Sequence, residues 1–557
     1  MTQVRASKHE VAKQIRSGQH VPDILDCLAQ LSNDEVPTPP KLARALLDIL
    51  PGEVWGKVDY VWLDPFCKSG IFLRETARRL LEGLSDQIPD FDERRDHIYR
   101  DMLWGTSITE MTGMISRRSL YYSRDASGPA SVVNFEGESG NLPFIYARHT
   151  FPKKKDGTVT GGCTICGAPF DLERGEGREN HAYSFIHGAY PTEEMSDMKF
   201  DVIVGNPPYQ TETSGHAQQA TPTYQHFVAQ AIAMDPRYVL MITPSRWFGG
   251  GMGLDGFRAT MIADRRLRVV VDHPKVFDCF PGVEIMGGVN YFLWDGKHDG
   301  DCEFSTRISD EIVSTAKRDL REGDGIVLRD NSALEIIRKA RALSTESVEA
   351  VCAVTKPFGV NMMPNYKGSS RVPFAGSIPL IYGDHVGYSR SDQIERNHDW
   401  VDRWKVLLPM AYNGGQQIGP GGEIQQTVLG EPIALAPGSA CTMTYLVAGM
   451  FETREETRNF ANFLSTKFVR FLVLQRKMTQ HMRPDRFRFV PMLDMTRAWT
   501  DDDLFDLAGL TPDERAYVDA SIKTRSVNLS LDSPTPPSHL PGGRKYKRGD
   551  VVAGDDA

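Results

Sequence analysis

Through the first 300 residues, short continuous apolar runs alternate with segments whose apolar positions recur every three or four residues. Phe200-Asp201-Val202-Ile203-Val204-Gly205 is the clearest run, β-branched and closed by glycine, as expected of a parallel strand buried on both faces. Val58 to Leu63, Met102 to Gly105, Val132 to Phe135, Tyr238 to Ile242, Arg268 to Asp272 and Gly288 to Trp294 predict further strands. Helical spacing places Leu42, Ala45, Leu46 and Ile49 on one face, and Leu73, Ala77, Leu80, Leu81 and Leu84 on another. Tyr224 to Ala233 reads as a third helix, and Val11, Ile15, Val21, Ile24, Leu25 and Leu28 as the apolar set of an earlier one over residues 8–31. Alternating strands and helices predict an α/β fold with a doubly wound sheet.

The pattern also divides the chain. Residues 1–35 form an N-terminal helical segment and 36–300 the α/β domain, with a polar, Gly/Lys-rich insert at 143–198. Alternation fades in 301–525, which predicts a separate mixed α/β domain. Residues 526–557 are rich in Pro, Ser, Gly and Asp, a composition expected to stay disordered, around the basic patch Arg544-Lys545-Tyr546-Lys547-Arg548. No internal repeat stands out.

Composition narrows the class. The 557 residues are 40% hydrophobic and 25% charged, values of a globular protein large enough for two or three domains. A net charge of −9 argues against a protein that coats nucleic acid indiscriminately, while leaving room for a local basic face. Eight cysteines are too few for a disulfide scaffold in so long a chain. No apolar stretch is long enough to span a bilayer, and the polar Met1 to Gln14 lacks a signal-peptide core, so a cytoplasmic protein is expected.

Two turns carry candidate chemistry. Asn206-Pro207-Pro208-Tyr209 follows the clearest strand at the edge where open α/β sheets bind ligands. The Asn206 side-chain carbonyl and the Pro207 backbone carbonyl can accept the two N–H groups of an amine conjugated to a ring, favouring the charge that develops when it attacks a methyl donor. Pro207 and Pro208 fix φ and hold these acceptors in advance, and Tyr209 offers a ring on which a base extruded from a duplex can stack. The competing reading is a surface turn. Asp64-Pro65-Phe66-Cys67-Lys68-Ser69-Gly70 leads from a strand into a helix, whose N-terminal N–H groups suit an anion while Asp64 suits an ammonium. An ordinary strand-to-helix connection explains the same residues.

In the insert, Cys163-Thr164-Ile165-Cys166 is followed after fourteen residues by His181 and after five more by His187, the spacing of a structural Cys2His2 zinc site. Two buried cysteines and two hydrogen-bonded histidines are the alternative. Residues 466–488 hold seven Lys/Arg against one acid. Phe468, Phe471, Leu472 and Leu474 are expected inward and Lys467, Arg470, Arg476, Lys477, Arg483, Arg486 and Arg488 outward, a strip suited to DNA phosphates or simply a solvated helix face.

The order Thr38-Pro39, Asp64 to Gly70, Asn206 to Tyr209 and a long C-terminal region resembles the gamma group of amino-methylating DNA methyltransferases, most of all the stand-alone adenine methylases of restriction-modification systems. Lys68-Ser69-Gly70-Ile71-Phe72, Thr243-Pro244-Ser245-Arg246-Trp247 and Gly287-Gly288-Val289-Asn290-Tyr291 add to the likeness, which covers about residues 20–300 well. The resemblance implies a Rossmann-like S-adenosylmethionine-dependent methyltransferase domain carrying the zinc-knuckle-like insert, followed by a C-terminal mixed α/β target-recognition domain. Its substrate would be adenine N6 in double-stranded DNA, with the base flipped out, and a separate restriction endonuclease or defence-system subunit would be its partner. Asn206 and Pro207 would bind the amine and Tyr209 would stack on the base. Thr38, Asp64, Pro65, Ser69 and Gly70 would line the cofactor pocket. Three positions depart from the pattern: Lys68 stands where glycine is usual, Pro37 replaces an aromatic, and Gly105-Thr106-Ser107 lacks a ribose-binding acid, for which Glu110 is the nearest substitute. A protein-glutamine methyltransferase and a catalytically silent specificity subunit are the competing readings.

Overall fold

The computed structural model describes residues 37–170, 182–211, 221–280, 285, 287–309, 311–353, 355–360, 370–383, 385–411, 416–418, 424–477 and 481–525. The expected N-terminal helix and C-terminal tail lie outside them. The chain forms two compact units, Met1–Val327 and Leu328–Ala557.

The first unit is built on one eight-stranded sheet. Its strands are β1 (Trp62–Cys67), β2 (Leu103–Ser107), β3 (Val202–Gly205), β4 (Tyr238–Pro244), β5 (Leu267–His273), β6 (Val289–Asp295), β7 (Cys302–Ile308) and β8 (Glu311–Arg318). They lie in the order β8-β7-β5-β6-β4-β3-β1-β2. β2, β1, β3 and β4 run parallel, β6 runs antiparallel to both β4 and β5, and β8 is antiparallel to β7. The strand alternation seen in the sequence extends past the expected boundary near residue 300, because β7 pairs with β5 and completes this sheet rather than opening the next domain.

Central strands bury both faces, which explains their unbroken apolar runs. Val202, Val204, Leu240 and Ile242 pack on one side with α1 (Pro40–Leu47), α2 (Ile71–Gly83) and α3 (Glu110–Tyr121). Ile203, Val239 and Met241 pack on the other with α4 (Tyr224–Ala233) and α5 (Asp255–Ala263). The fold is thus a mixed α/β sheet covered on both faces. In α2, Leu73, Ala77 and Leu80 are buried as their spacing predicts. Each such leucine contributes about 2 kcal/mol through burial.

Two expectations about local structure change. Asp64 and Pro65, expected in a turn, lie inside β1; a register shift between Asp64 and Cys67 accommodates the proline, which has no N–H to give the ladder. Val132 to Phe135 forms no strand: Val132 N–H donates to the Tyr121 carbonyl and Phe135 N–H to that of Ala126. The edge beyond β2 is instead met by the Asn141–Phe144 backbone, whose Asn141 and Pro143 carbonyls accept the Gly105 and Ser107 N–H groups.

Among its described residues the second unit contains two three-stranded sheets and a two-stranded one of Gln416–Ile418 with Ile424–Gln426. One three-stranded sheet orders His385–Arg390, Ser377–Tyr382 and Ala440–Cys441, and the other Ile433–Leu435, Trp404–Pro409 and Tyr445–Phe451. Helices Ala333–Arg341, Arg454–Ser465, Lys467–Leu474, Asp501–Leu507 and Pro512–Ser521 accompany them, so this unit is also mixed α/β. Among the described residues, no helix is long and apolar enough to cross a membrane.

Candidate active site

The site forms where the strand order reverses. β1 lies between β2 and β3, so the chain leaves β1 toward one side of the sheet and returns on the other. Such a switch point opens a crevice beyond the carboxyl ends of the strands. Here a narrow cleft is lined by Thr38, Asp64, Phe66, Lys68, Ser69, Gly70, Ile71, Phe72 and Asn206. Five residues expected from sequence, Thr38, Asp64, Ser69, Gly70 and Asn206, therefore converge on one wall-to-wall feature.

Asn206 follows β3 directly and is 3% exposed. Its Nδ2 donates to Thr38 Oγ1 at 3.2 Å. That bond orients the amide and turns its carbonyl end away from the threonine. Pro207 and Pro208 are buried, and Thr223, at the start of α4, fastens the loop from beneath: its Oγ1 donates to the Pro208 carbonyl at 3.2 Å and its N–H to the Tyr209 carbonyl at 3.1 Å. Tyr209 is 8% exposed, its ring edge-on to Phe280 at 6.4 Å. Burial pushes its phenol well above the ordinary value, so it stays neutral. Gly205 is required before this loop, because a Cβ there would meet the Phe66 ring and Asp64 Oδ1.

The opposite wall is the start of α2. Gly70 adopts φ 69°, and an added Cβ would lie 2.8 Å from the Ser116 carbonyl oxygen. No side chain caps α2, leaving first-turn N–H groups directed at the cleft, where a negative group is favoured. Ser69 Oγ is buried with no hydrogen-bond partner, a further donor for an anion. Asp64, 2% exposed, accepts from the Phe66 N–H at 3.2 Å. Burial pushes its carboxyl up to about 7, an effect the Phe66 N–H, Cys67 and the Lys68 ammonium only partly offset. A buried carboxylate so placed has most to gain from a second cation.

The remaining expected cofactor positions fall elsewhere. Pro65 is buried in β1 and does not line the cleft. Glu110 opens α3 and is exposed, away from the cleft lining. Lys68, unusual for the resembled pattern, is only 8% exposed and forms part of the wall. Sequence reasoning missed Phe66, whose ring meets Phe227 at 5.5 Å and Phe185 at 6.2 Å and forms the floor. It also missed Asp272. This fully buried carboxylate accepts from Ser245 Oγ at 2.7 Å, while Asn290 Nδ2 donates to the Thr243 carbonyl at 3.1 Å, locking together the neighbouring strand ends. Thr243-Pro244-Ser245 and Gly287-Gly288-Val289-Asn290-Tyr291 carried sequence signals for two sides of this network, but neither pointed to Asp272.

In the insert, four possible metal ligands come together: His149, Cys163, Cys166 and His187, with ligand atoms all within 4.8 Å of one another. Expected Cys163, Cys166 and His187 are among them. His181 lies outside the described residues, and His149, unassigned from sequence, supplies the fourth group.

The basic strip is corrected. Arg470 is 1% exposed, and its guanidinium donates to the carbonyls of Ser465, Thr466 and Lys523. Arg476 is 3% exposed, donates to the Asp485 carbonyl and stacks over Phe489. Lys477 donates to the Val428 carbonyl, and burial lowers its ammonium to about 8. Lys467 pairs with Asp519, and Arg486 with Asp485. Arg488 pairs with Glu349. Helix Lys467–Leu474 packs against three other helices, leaving no broad solvent face for an outward row of charges. Of the residues assigned to DNA, Arg483 alone is exposed.

Comparisons with known proteins follow this geometry. Residues 101–280 match the family model of the Eco57I restriction-modification methylase. An "uncharacterized adenine-specific methylase" of Mycoplasma pneumoniae is 32% identical over 341 residues, covering 57% of this chain and 80% of the relative. A modification subunit of a putative type I restriction enzyme from Vibrio vulnificus aligns with TM-score 0.31 and 16% identity over 54% of this chain and 51% of that one. The DrdV–DNA complex gives TM-score 0.43 at 12% identity, over 87% and 57%. The type IIL enzyme MmeI with DNA gives 0.40 at 10%, over 87% and 66%. The chain thus spans about half the length of the type I subunit it matches.

Proposed function

Because this chain belongs to the adenine-specific methylases of restriction-modification systems, we propose that it transfers a methyl group from S-adenosylmethionine to the N6 amine of an adenine flipped out of double-stranded DNA. The observation that carries this reading is the Thr38–Asn206 hydrogen bond inside a cleft shared with Asp64 and the start of α2. It ties the segment before α1 to the loop after β3, beside the turn from β1 into α2.

The residues present fit the donor's charged end. The first-turn N–H groups of α2 and Ser69 Oγ suit its carboxylate, and Asp64 its ammonium. When bound, S-adenosylmethionine supplies an electrophilic methyl. Asn206 Oδ1 and the Pro207 carbonyl accept the two N–H groups of the adenine amine, drawing its lone pair out of conjugation. They would also stabilise positive charge on nitrogen as the N–C bond forms and the donor's S–C bond breaks to leave a neutral thioether, before the nitrogen gives up one proton to solvent; preorganised dipoles act most strongly on such developing charge. Thr38 holds the amide in the required orientation. Tyr209, neutral and backed by Phe280, presents its ring to the extruded base. Neither a covalent enzyme intermediate nor a catalytic metal is needed. A separate restriction endonuclease or defence-system subunit fits this activity as a partner.

The test is transfer of labelled methyl to unmethylated genomic DNA, followed by single-molecule sequencing. N6-methyladenine in one repeated sequence context supports the proposal. Label appearing in protein instead of DNA overturns it in favour of glutamine methylation. A second reading, a specificity subunit without transferase activity, is favoured by Lys68, which is buried in the cleft wall where the resembled pattern has glycine. Failure of the folded protein to bind S-adenosylmethionine selects it.

A further inference from the structure

We propose that His149, Cys163, Cys166 and His187 hold one structural zinc-class divalent cation, and that this ion clamps the insert onto the aromatic floor of the catalytic cleft. The geometry is that of a tetrahedral S2N2 cage. Ligands about 2.3 Å (sulfur) and 2.05 Å (nitrogen) from a common centre lie about 3.6 Å apart across a tetrahedral angle. Cys163 Sγ and His187 Nε2 are 3.6 Å apart, and Cys166 Sγ and His149 Nδ1 are 3.4 Å apart. Both cysteines are free thiols, so neither is committed to a disulfide.

The backbone is shaped for the task. The Cys163 N–H donates to the Ala168 carbonyl and the Gly167 N–H returns to Cys163, closing a knuckle in which Gly167 takes φ 75°. A short hairpin, with Thr160 N–H bonded to the Pro152 carbonyl, turns the chain back so that His149 faces the knuckle. His187 Nδ1 is 2.8 Å from the Tyr183 carbonyl, an outer contact that fixes the ring and commits Nε2 to the cage. The local core amounts to Cys163, Cys166 and Ala168, with Phe151, Ile165 and Ile186 at its margin. So small a core calls for a cross-link, and ion binding supplies one as folding energy.

The clamp follows from where the segment ending at His187 lies. Tyr183 meets Phe227 at 5.4 Å and Phe185 meets Phe66 at 6.2 Å. Phe66 lines the cleft and closes over Gly205, immediately before Asn206. The cage is closed, with four protein ligands and no open position, so its role is structural.

Full-length protein expressed with zinc should contain stoichiometric metal by elemental analysis. Replacement with cobalt(II) should give thiolate charge-transfer absorption and the intense visible bands of a tetrahedral site. His149→Ala and Cys163→Ser should each abolish binding, while His181→Ala retains it. Metal-free wild type without a cobalt spectrum overturns the site, as does metal lost in His181→Ala but kept in His149→Ala. If variants fail to fold, cobalt titration of chelator-treated wild type decides the same question. Amide exchange tests the clamp: chelation should speed exchange at residues 183–187 and 203–209. Unchanged exchange at 203–209 in protein that has lost its ion overturns the clamp.

Discussion

Asp64 offers the sharpest test of the cofactor site. Its carboxyl rests at about 7 against an ordinary 3.8, and desolvation by burial is the main cause. Holding it ionised at neutral pH therefore costs about 4 kcal/mol. The folded protein retains a proton that the unfolded chain has already released between about pH 4 and 7, so stability falls as pH rises through that window and levels off above it. A cation against the carboxylate reverses this. If the donor's ammonium supplies it, binding returns Asp64 toward its ordinary value and expels the proton. Below pH 7 the ionised fraction drops about tenfold per unit, so donor affinity should weaken about 50-fold from pH 7 to pH 5, where the ligand's amine stays protonated. Calorimetry in two buffers of different ionisation heat should register about half a proton released per site at pH 7 and nearly one at pH 6. Asp64→Asn should bind the donor weakly without pH dependence, yet raise the Tm of the unliganded protein above pH 7. Flat affinity from pH 5 to 7, or binding without proton release, refutes the reasoning.

Other expectations test separate elements. Asn206→Ala should lower kcat by at least about 100-fold, with a much smaller change in donor binding measured calorimetrically; a near-wild-type rate would reject the amine-polarising role. Gly205→Ala should cost about 1–3 kcal/mol in denaturant unfolding, because the new methyl collides with Phe66 and Asp64; unchanged stability would mean the floor yields freely. Arg470→Ala should destabilise the protein by about 3 kcal/mol or more, since three carbonyls lose their buried donor, and an unaltered Tm would contradict that. Arg483→Ala, at an exposed position, should leave Tm unchanged and reduce the salt slope of DNA binding by about one, whereas an unmoved slope would remove it from the phosphate contacts.

Much of the first unit was legible because central parallel strands and their covering helices follow simple periods. Tyr224 to Ala233 begins and ends where expected, and Ile71 to Leu84 is off by one residue. What misled were residues whose local meaning depends on a partner. Asp64-Pro65 spells a turn in isolation, and only the neighbouring strands reveal a bulge. Val132 to Phe135 has strand-forming residues but no strand to pair with. His149 precedes the cysteines across a hairpin, so a rule that counts forward from the first cysteine passes over it. The basic strip failed for a related reason. Helical spacing divides a helix into an inner and an outer face, but Lys467–Leu474 is enclosed by other helices, and its Arg470 serves as an internal donor to carbonyls. Thr38, by contrast, was found through the order of motifs rather than through any property of its own segment.

The Thr38–Asn206 bond spans 168 residues of sequence. Contacts so distant along the chain form late, after their loop-closure entropy has been met by the intervening structure. The Asn206 amide is therefore not oriented in a partly folded chain, even one whose β3 strand has already formed. If Asn206 polarises the amine as proposed, competence arrives only when the segment before α1 docks beside the finished sheet. On the proposed mechanism, limited cleavage near residue 38 should abolish methyl transfer while leaving Asn206 and Tyr209 themselves uncut.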